Sequence, residues 1–359
     1  MKLHSKRGIL ISLLLILALA VTGCSSPSAP APGPSDTEDP PAADFKPVEF
    51  NLCNFMAPMH PLNAKILIPW AEEVEKQTDG RVKIFVYPAN ELVAADKNYD
   101  AVVSGVIDIG LTLPAYTPGY FPLTSILEFP FMFSSPEQSN LAAAELFKTN
   151  NAVRDTEYKD VVVLWWGTTD LGHFLVKKPI QGVSELNGMK LRSPSTVGND
   201  VLEALGAIPV TLPVSDTYDA IERGIVDGTM LPISTLNSFK LADVVTDILE
   251  MNMYATPLHM VMNKASWDKI SPDDQAIILK LLDEFPKTIG SEYGLDTKNG
   301  YATAEKAGIG IAVPSAEELQ KFKDAVEPLI EKWLDDMEAK GIPGREVYEQ
   351  LKTIAKKYE

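Results

Sequence analysis

Apolar residues recur along the chain with two different periods, and the changes from one period to the other outline the elements. Val48 to Cys53 alternates apolar and polar positions, which predicts a strand, and Arg81 to Tyr87 does the same. Between them Leu62, Ile66, Trp70 and Val74 fall four residues apart, so the spacing predicts a helix over 61–78, stopped at the Asp79-Gly80 turn. Lys97 to Ser104 reads as a helix ended by Gly105, and Val106 to Leu111 as a buried strand. That alternation is the signature of an α/β sheet.

The middle of the chain repeats the pattern. Met189 to Arg192 reads as a short strand broken by Pro194, Val197 to Leu205 as a helix stopped at Gly206, and Pro209 to Leu212 as a strand. Ser215 to Arg223 is then a helix leading into Gly224. The segment Asp100-Ala-Val-Val-Ser-Gly-Val-Ile-Asp108 is echoed by Asp219-Ala-Ile-Glu-Arg-Gly-Ile-Val-Asp227. Each copy is a helix end, a glycine suited to the left-handed position after it, and a short strand closing on Asp. The copies lie too far apart for a solenoid, which leaves two similar α/β lobes or the recurrence of a common junction. Helical spacing dominates the last third. Ser271-Pro272 is an N-cap signal for a helix that continues past Phe285 with a kink at Pro286. Ser315 and Glu318 form a capping box, Gly341-Ile342-Pro343 ends that helix, and Arg345 to Tyr358 is a last one. This region reads as a brace across the lobes.

The front of the chain has a different pattern. Lys2, Lys6 and Arg7 precede an apolar run from Ile9 to Val21, too short to span a hydrocarbon core of ~30 Å, so a cleaved signal peptide over 1–23 is expected. The run ends in Val21-Thr22-Gly23-Cys24, which resembles a bacterial lipobox and implies a diacylated Cys24 as the first mature residue. Residues 24–45 hold six prolines among Ala, Ser and acidic residues and read as a tether. The folded part is then 46–359, with one lobe near 46–169 plus 258–300 and the other near 170–257 plus part of 301–359.

Composition narrows the function classes. The chain has 359 residues and a net charge of −17, which opposes a nucleic-acid role because phosphate binding needs a basic face. Two cysteines cannot build a four-thiolate zinc site, and with Cys24 lipidated Cys53 has no partner and reads as a buried thiol. There is no H-E-x-x-H, G-x-S-x-G or P-loop, and Gly308-Ile309-Gly310 lacks the third glycine of a dinucleotide fingerprint. His60, His173 and His259 are not at metal-ligand spacing. No cofactor or metal is read, and an enzyme is disfavoured.

From Glu49 to about Leu282 the chain resembles the extracytoplasmic solute receptors of tripartite ATP-independent periplasmic (TRAP) transporters. The resemblance rests on Thr78 to Ile84 with Tyr87-Pro88, Gly105 to Asp108, and Leu186-Asn-Gly-Met-Lys-Leu-Arg-Ser-Pro194. It continues through Gly206 to Pro213, Tyr218 to Gly228, and Met262-Asn-Lys264 with Trp267. It implies an α/β, two-lobe periplasmic-binding-protein fold with a hinge, an interlobe ligand cleft and a helical C-terminal brace. It also implies delivery of a small organic acid to membrane permease subunits, from an extracytoplasmic position held to the membrane by lipid; a monomer is expected. Arg192 matches the family arginine of the strand before Pro194, which resembles a carboxylate clamp, a role that suits the planar guanidinium fork. Two departures stand out. Asp170 to Phe174 lacks the second arginine many members carry, and Leu231 stands where many have Asn before Pro232. With Trp165, Trp166, Phe174, Met230 and Leu231 as apolar wall and His60 and His173 as polar partners, the expected ligand is a monocarboxylate with an apolar or aromatic body. A ligand-presenting subunit of a membrane sensor is the alternative, and a lipid-anchored hydrolase a weaker one.

Overall fold

Both halves of the chain build a sheet on one plan. The computed structural model describes residues 45–359; the expected signal segment, Cys24 and nearly all of the proline tether lie outside the described residues. In chain order the strands are β1 (Val48–Asn54), β2 (Val82–Tyr87), β3 (Ile109–Thr112), β4 (Val161–Thr168), β5 (Gly172–Val176), β6 (Lys190–Ser193), β7 (Ile208–Thr211), β8 (Gly228–Pro232), β9 (Asp247–Leu249), β10 (Pro257–Asn263) and β11 (Gly310–Ala312). The first sheet runs β2-β1-β3-β10-β4 and the second β11-β9-β5-β8-β6-β7. In each, a strand lies between two parallel neighbours, β1 between β2 and β3, β6 between β7 and β8. Antiparallel strands then extend each unit, β10 and β4 on one side, β5 and β9 on the other. The chain therefore changes lobe between β4 and β5, again between β9 and β10, and a third time between β10 and β11.

The internal echo is a repeated piece of geometry. Gly105 and Gly224 sit at φ +73° and +68°, a region that costs any side chain with a Cβ. Ala101 O accepts from Val106 N and Ile107 N at 2.8 and 3.3 Å; Ala220 O accepts from Ile225 N and Val226 N at 2.9 and 3.2 Å. Each terminal Asp ties its strand to the neighbouring one. Asp108 Oδ2 accepts from Asn51 N at 3.1 Å, and Asp227 Oδ2 from Lys190 N at 2.9 Å. Those bonds also correct one expectation. Val106 is 68% exposed and the strand begins only at Ile109, because the amides after Gly105 still bond back to the helix.

Two further expectations change at helix ends. The helix Pro272–Leu282 stops, and a separate helix Phe285–Ala307 starts with Pro286 in its first turn, where a missing N–H costs nothing. Ser315 caps the helix Ala316–Ala339 by accepting from Glu318 N at 3.2 Å, but the Glu318 carboxylate accepts from Val183 N at 3.3 Å and pairs with Lys321 instead of closing a box.

The long helices span both lobes. In Phe285–Ala307, Phe285 packs on Trp70 and Trp165 of the first lobe, while an added Cβ at Gly300 would come within 2.6 Å of Ile233 O in the second. In Ala316–Ala339, Phe322 packs on Phe174 of the second lobe and Trp333 on Phe129 of the first. The closing helix Gly344–Lys357 returns to the first lobe through Val347, Leu351 and Ile354.

Candidate functional site

Parallel strands deliver their carboxyl ends to the same side of a sheet, and in open α/β sheets that is where clefts form. Here both units aim those ends at each other. Phe55 and Met56 follow β1, Leu113 and Tyr116 follow β3, Arg192 and Pro194 come from β6 and its end, and Leu231 and Pro232 close β8; all line one interlobe cavity of about 50 Å³. Thr169, Asp170 and Thr256, from the first two segments that change lobe, also line it. Those segments bond to each other through Thr169 N to Thr256 O at 2.9 Å and Thr256 N to Thr169 Oγ1 at 3.1 Å. His60, Ser234, Thr235, Phe239 and Tyr293 complete the polar and aromatic lining.

Arg192 is the charged centre of the wall. It is 0% exposed, its Nε donates to Leu212 O at 2.8 Å, and its Nη2 donates to Tyr116 Oη at 3.4 Å. Nη1 is buried with no hydrogen-bond partner, and no carboxylate among the described residues pairs with the guanidinium. An ion buried this way carries a desolvation cost of several kcal/mol that only an anion or further acceptors can offset. Tyr116 also accepts from Val214 N at 2.9 Å, so one phenol of the first lobe touches the arginine and a backbone amide of the second. Nearby, Ser195 of the second lobe donates to the Glu128 carboxylate of the first, and burial pushes that carboxyl up to about 7. The lobes are closed on the cavity.

His60 Nδ1 accepts from Leu62 N at 3.2 Å, which puts the ring proton on Nε2. Burial pulls its pKa down to about 4, so at neutral pH it is an uncharged donor on the cavity wall, packed against Phe239 and Tyr293. Asp170 is 2% exposed, and burial raises its carboxyl to about 7, with Asp296 adding to the shift and hydrogen bonds from Ser234 and Thr297 opposing it.

Of the residues expected at the ligand, Arg192, His60 and Leu231 share this cavity; Trp166, His173, Phe174 and Met230 do not. Strand parity explains two of the departures. Phe174 lies opposite Met230 in the β5–β8 ladder, and their side chains enter the core of the second lobe with Phe322, whereas Leu231, one residue on, points the other way. His173 is used as a wedge, its Nδ1 accepting from Met251 N at 3.1 Å, and burial pulls its pKa down to about 4. Trp166 sits on β4 at the far edge of the first sheet, donating to Tyr158 Oη at 2.8 Å inside an aromatic core. Trp165, on the opposite face of β4, packs on Phe285.

Tyr116, Asp170, Ser234, Phe239 and Tyr293 were not expected at the site. The echo held the signal for Tyr116. If Asp108 and Asp227 end equivalent turns, the residues after both following strands must meet at one cleft. Tyr293 carries no such signal, because it arrives from a helix far along the chain.

A family model described as bacterial extracellular solute-binding protein, family 7, matches residues 54–336. A marine metagenome TRAP solute-binding protein specific for aromatic acid ligands, solved with metahydroxyphenylacetate, is 31% identical, with 87% of this chain and 99% of that one covered and a TM-score of 0.82. A TRAP solute-binding protein from Rhodoferax ferrireducens T118, solved with copurified benzoate, is 29% identical over 87% of this chain and 98% of that one, with a TM-score of 0.81. The outer membrane transporter protein TsaT of Comamonas testosteroni is 28% identical over 302 residues, 82% of this chain and 88% of that protein.

Proposed function

The chain belongs to bacterial extracellular solute-binding protein family 7, a family of extracytoplasmic TRAP receptors, and on that premise we propose that its cavity captures a monocarboxylate with an aromatic or apolar body for hand-over to the membrane permease. The observation that carries the ligand class is the free Nη1 of a fully buried Arg192 on an otherwise largely apolar wall. A ligand carboxylate accepts from that nitrogen and supplies the missing counter-charge. The rest of the ligand meets Phe55, Leu113, Val214, Leu231, Phe239 and Tyr293. The benzoate and metahydroxyphenylacetate held by the two solved relatives are of this chemistry.

The mechanism follows from closure. In an open cleft water solvates both the guanidinium and the solute, and their attraction is weak. Closing the lobes through Tyr116–Val214 and Glu128–Ser195 removes water and strengthens each polar contact inside. The paired segments at 169–172 and 253–257 are the hinge in this reading, and the site acts as a binding site, not a catalytic one. Cys24 carries the lipid that holds the receptor, as a monomer, on the outer face of the membrane.

A thermal-shift panel of organic acids tests the reading. Benzoate or mandelate at about 100 times its dissociation constant adds about 2.7 kcal/mol of stability to the native protein, and Arg192→Ala loses that gain. If only neutral sugars or amines shift the melting point, or if the variant responds like the native protein, the carboxylate assignment is wrong.

A further inference from the structure

The cavity holds a second buried charge-bearing group that the carboxylate reading does not use. Asp170 lies in the segment that joins β4 to β5, at the base of the cleft, and it lines the same cavity as Arg192. The two are not paired with each other. Arg192 donates from Nε to Leu212 O and from Nη2 to Tyr116 and leaves Nη1 free, and Asp170 Oδ2 accepts from Thr297 Oγ1 at 3.2 Å. No lysine, arginine or histidine among the described residues forms an ion pair with Asp170, although it is almost fully buried. Its surroundings are hydroxyl groups and another acid. Ser234 and Thr297 bond to it, Tyr293 lines the wall beside it, and Asp296 lies close enough to act on its charge. A carboxyl in such a place has acceptor capacity to offer and no protein cation to take it.

We propose that Asp170 is the second recognition group for the solute, accepting a hydrogen bond from a hydroxyl group on the body of the acid whose carboxylate Arg192 holds. The ligand class is then a hydroxylated carboxylic acid, a phenolic acid being the form that fits the aromatic wall. This rests on the carboxylate reading of Arg192 and narrows it. The choice of a hydroxyl over an ammonium follows from hydrogen-bond chemistry. Burial keeps Asp170 near its midpoint at neutral pH, so both the carboxylate and the protonated acid are populated. A hydroxyl donates to either form and can accept from the acid, whereas an ammonium is matched only by the carboxylate. An ether in the same place offers no donor, so the carboxylate form gains no bond from it in exchange for the water it displaces.

Calorimetric titration of the full-length protein with five probes reads this directly: benzoate, 3-hydroxybenzoate, 4-hydroxybenzoate, 3-methoxybenzoate and 3-(aminomethyl)benzoate. At least one hydroxybenzoate binds about tenfold or more tightly than benzoate, and methylation of the hydroxyl removes the gain. In Asp170→Ala the ratio of hydroxybenzoate to benzoate affinity falls to about one, and that ratio is the readout because any change in closure acts on both probes alike. If Asp170→Ala does not fold, the contrast between hydroxyl and methoxy probes in the native protein still decides. The proposal is overturned if benzoate binds through Arg192 but hydroxylation brings no gain, if the gain persists in Asp170→Ala, or if the aminomethyl probe binds more tightly than both phenols. Failure of every benzoate to bind, or equal binding to Arg192→Ala, overturns the carboxylate reading and this proposal with it, and is distinct from the first three results.

Discussion

A guanidinium with one nitrogen on a carbonyl, one on a phenol and one on nothing is a poor contributor to the stability of an empty cavity, and that is how Arg192 stands. Replacing it by an apolar residue of similar length therefore has two opposite effects. Arg192→Met gives up the bonds to Leu212 O and Tyr116 but removes a buried unpaired charge, so the unliganded protein changes in stability by less than about 2 kcal/mol. Carboxylate affinity falls by about 100-fold or more, because the counter-charge is gone. Urea unfolding and titration with benzoate separate the two; a large loss of stability would mean the arginine is structural. Tyr116→Phe is the complementary test. Val214 N finds water when the cleft is open and nothing when it is closed, so the cost of about 1–3 kcal/mol falls on the closed, liganded form and shows as faster ligand release in stopped flow. At this scale Arg192 was legible through the matched Lys190-Leu191-Arg192-Ser193-Pro194 motif, since the short strand itself mixes charged, apolar and polar residues. Phe174, Met230 and Leu231 were equally apolar, and only their direction from the strand separated core from cavity.

The long helix Phe285–Ala307 supplies a test at the scale of an element. It carries three glycines with different surroundings. A Cβ at Gly290 would lie 2.7 Å from Glu137 Cα, one at Gly300 would lie 2.6 Å from Ile233 O, and one at Gly294 would meet nothing within 4 Å. Helix propensity favours Ala over Gly by up to about 1 kcal/mol at all three. Gly294→Ala is thus expected to raise the melting point, while Gly290→Ala and Gly300→Ala lower it by pushing the helix off one lobe or the other. Equal responses at the three sites would show that the helix is not seated as a brace. The helix itself was visible in the chain as continued 3.6-residue spacing past Phe285. Its separation from the helix before it was not, since Pro286 serves a first turn as readily as a kink. Helix ends marked by Gly105, Gly206 and Gly224 were legible for the opposite reason: a positive φ is a local demand that few residues meet.

For the molecule as a whole, closure has a pH dependence whose sign can be worked out. Burial in the closed form raises Glu128 to about 7 from an ordinary value of 4.5. Its contribution to closure is complete below about 4.5 and is lost as pH rises through about 7; Asp170, also raised to about 7, acts in the same direction. His60 acts oppositely. Lowered to about 4 from 6.5, it favours closure fully above about 6.5 and withdraws that support as pH falls. Between pH 8.5 and 6.5 Glu128 contributes on the order of 1 kcal/mol to closure of the unliganded protein, partly offset at the lower end as His60 begins to protonate in the open form. Small-angle scattering should show a smaller radius of gyration at pH 6.5 than at 8.5, with the difference reduced in Glu128→Gln. An unchanged difference in that variant would remove Glu128 from the account.

Strands, helices, their glycine stops and the repeated unit were readable from the chain because each depends on contacts within a few residues, and the arginine was readable through the family resemblance of its motif. Periodicity reports which face is apolar, and a tight turn reports the residue that tolerates it. Which apolar face meets a cleft and which meets a helix depends on partners far away along the chain. Tyr116 reaches Val214, Thr297 reaches Asp170, and Glu128 reaches Ser195 only once β4 and β5 have passed into different sheets and β10 has come back. Those pairings set the composition of the cavity, and with it the acid beside the arginine. Local order is written in neighbouring residues, while the site is made by the exchange of strands between two lobes.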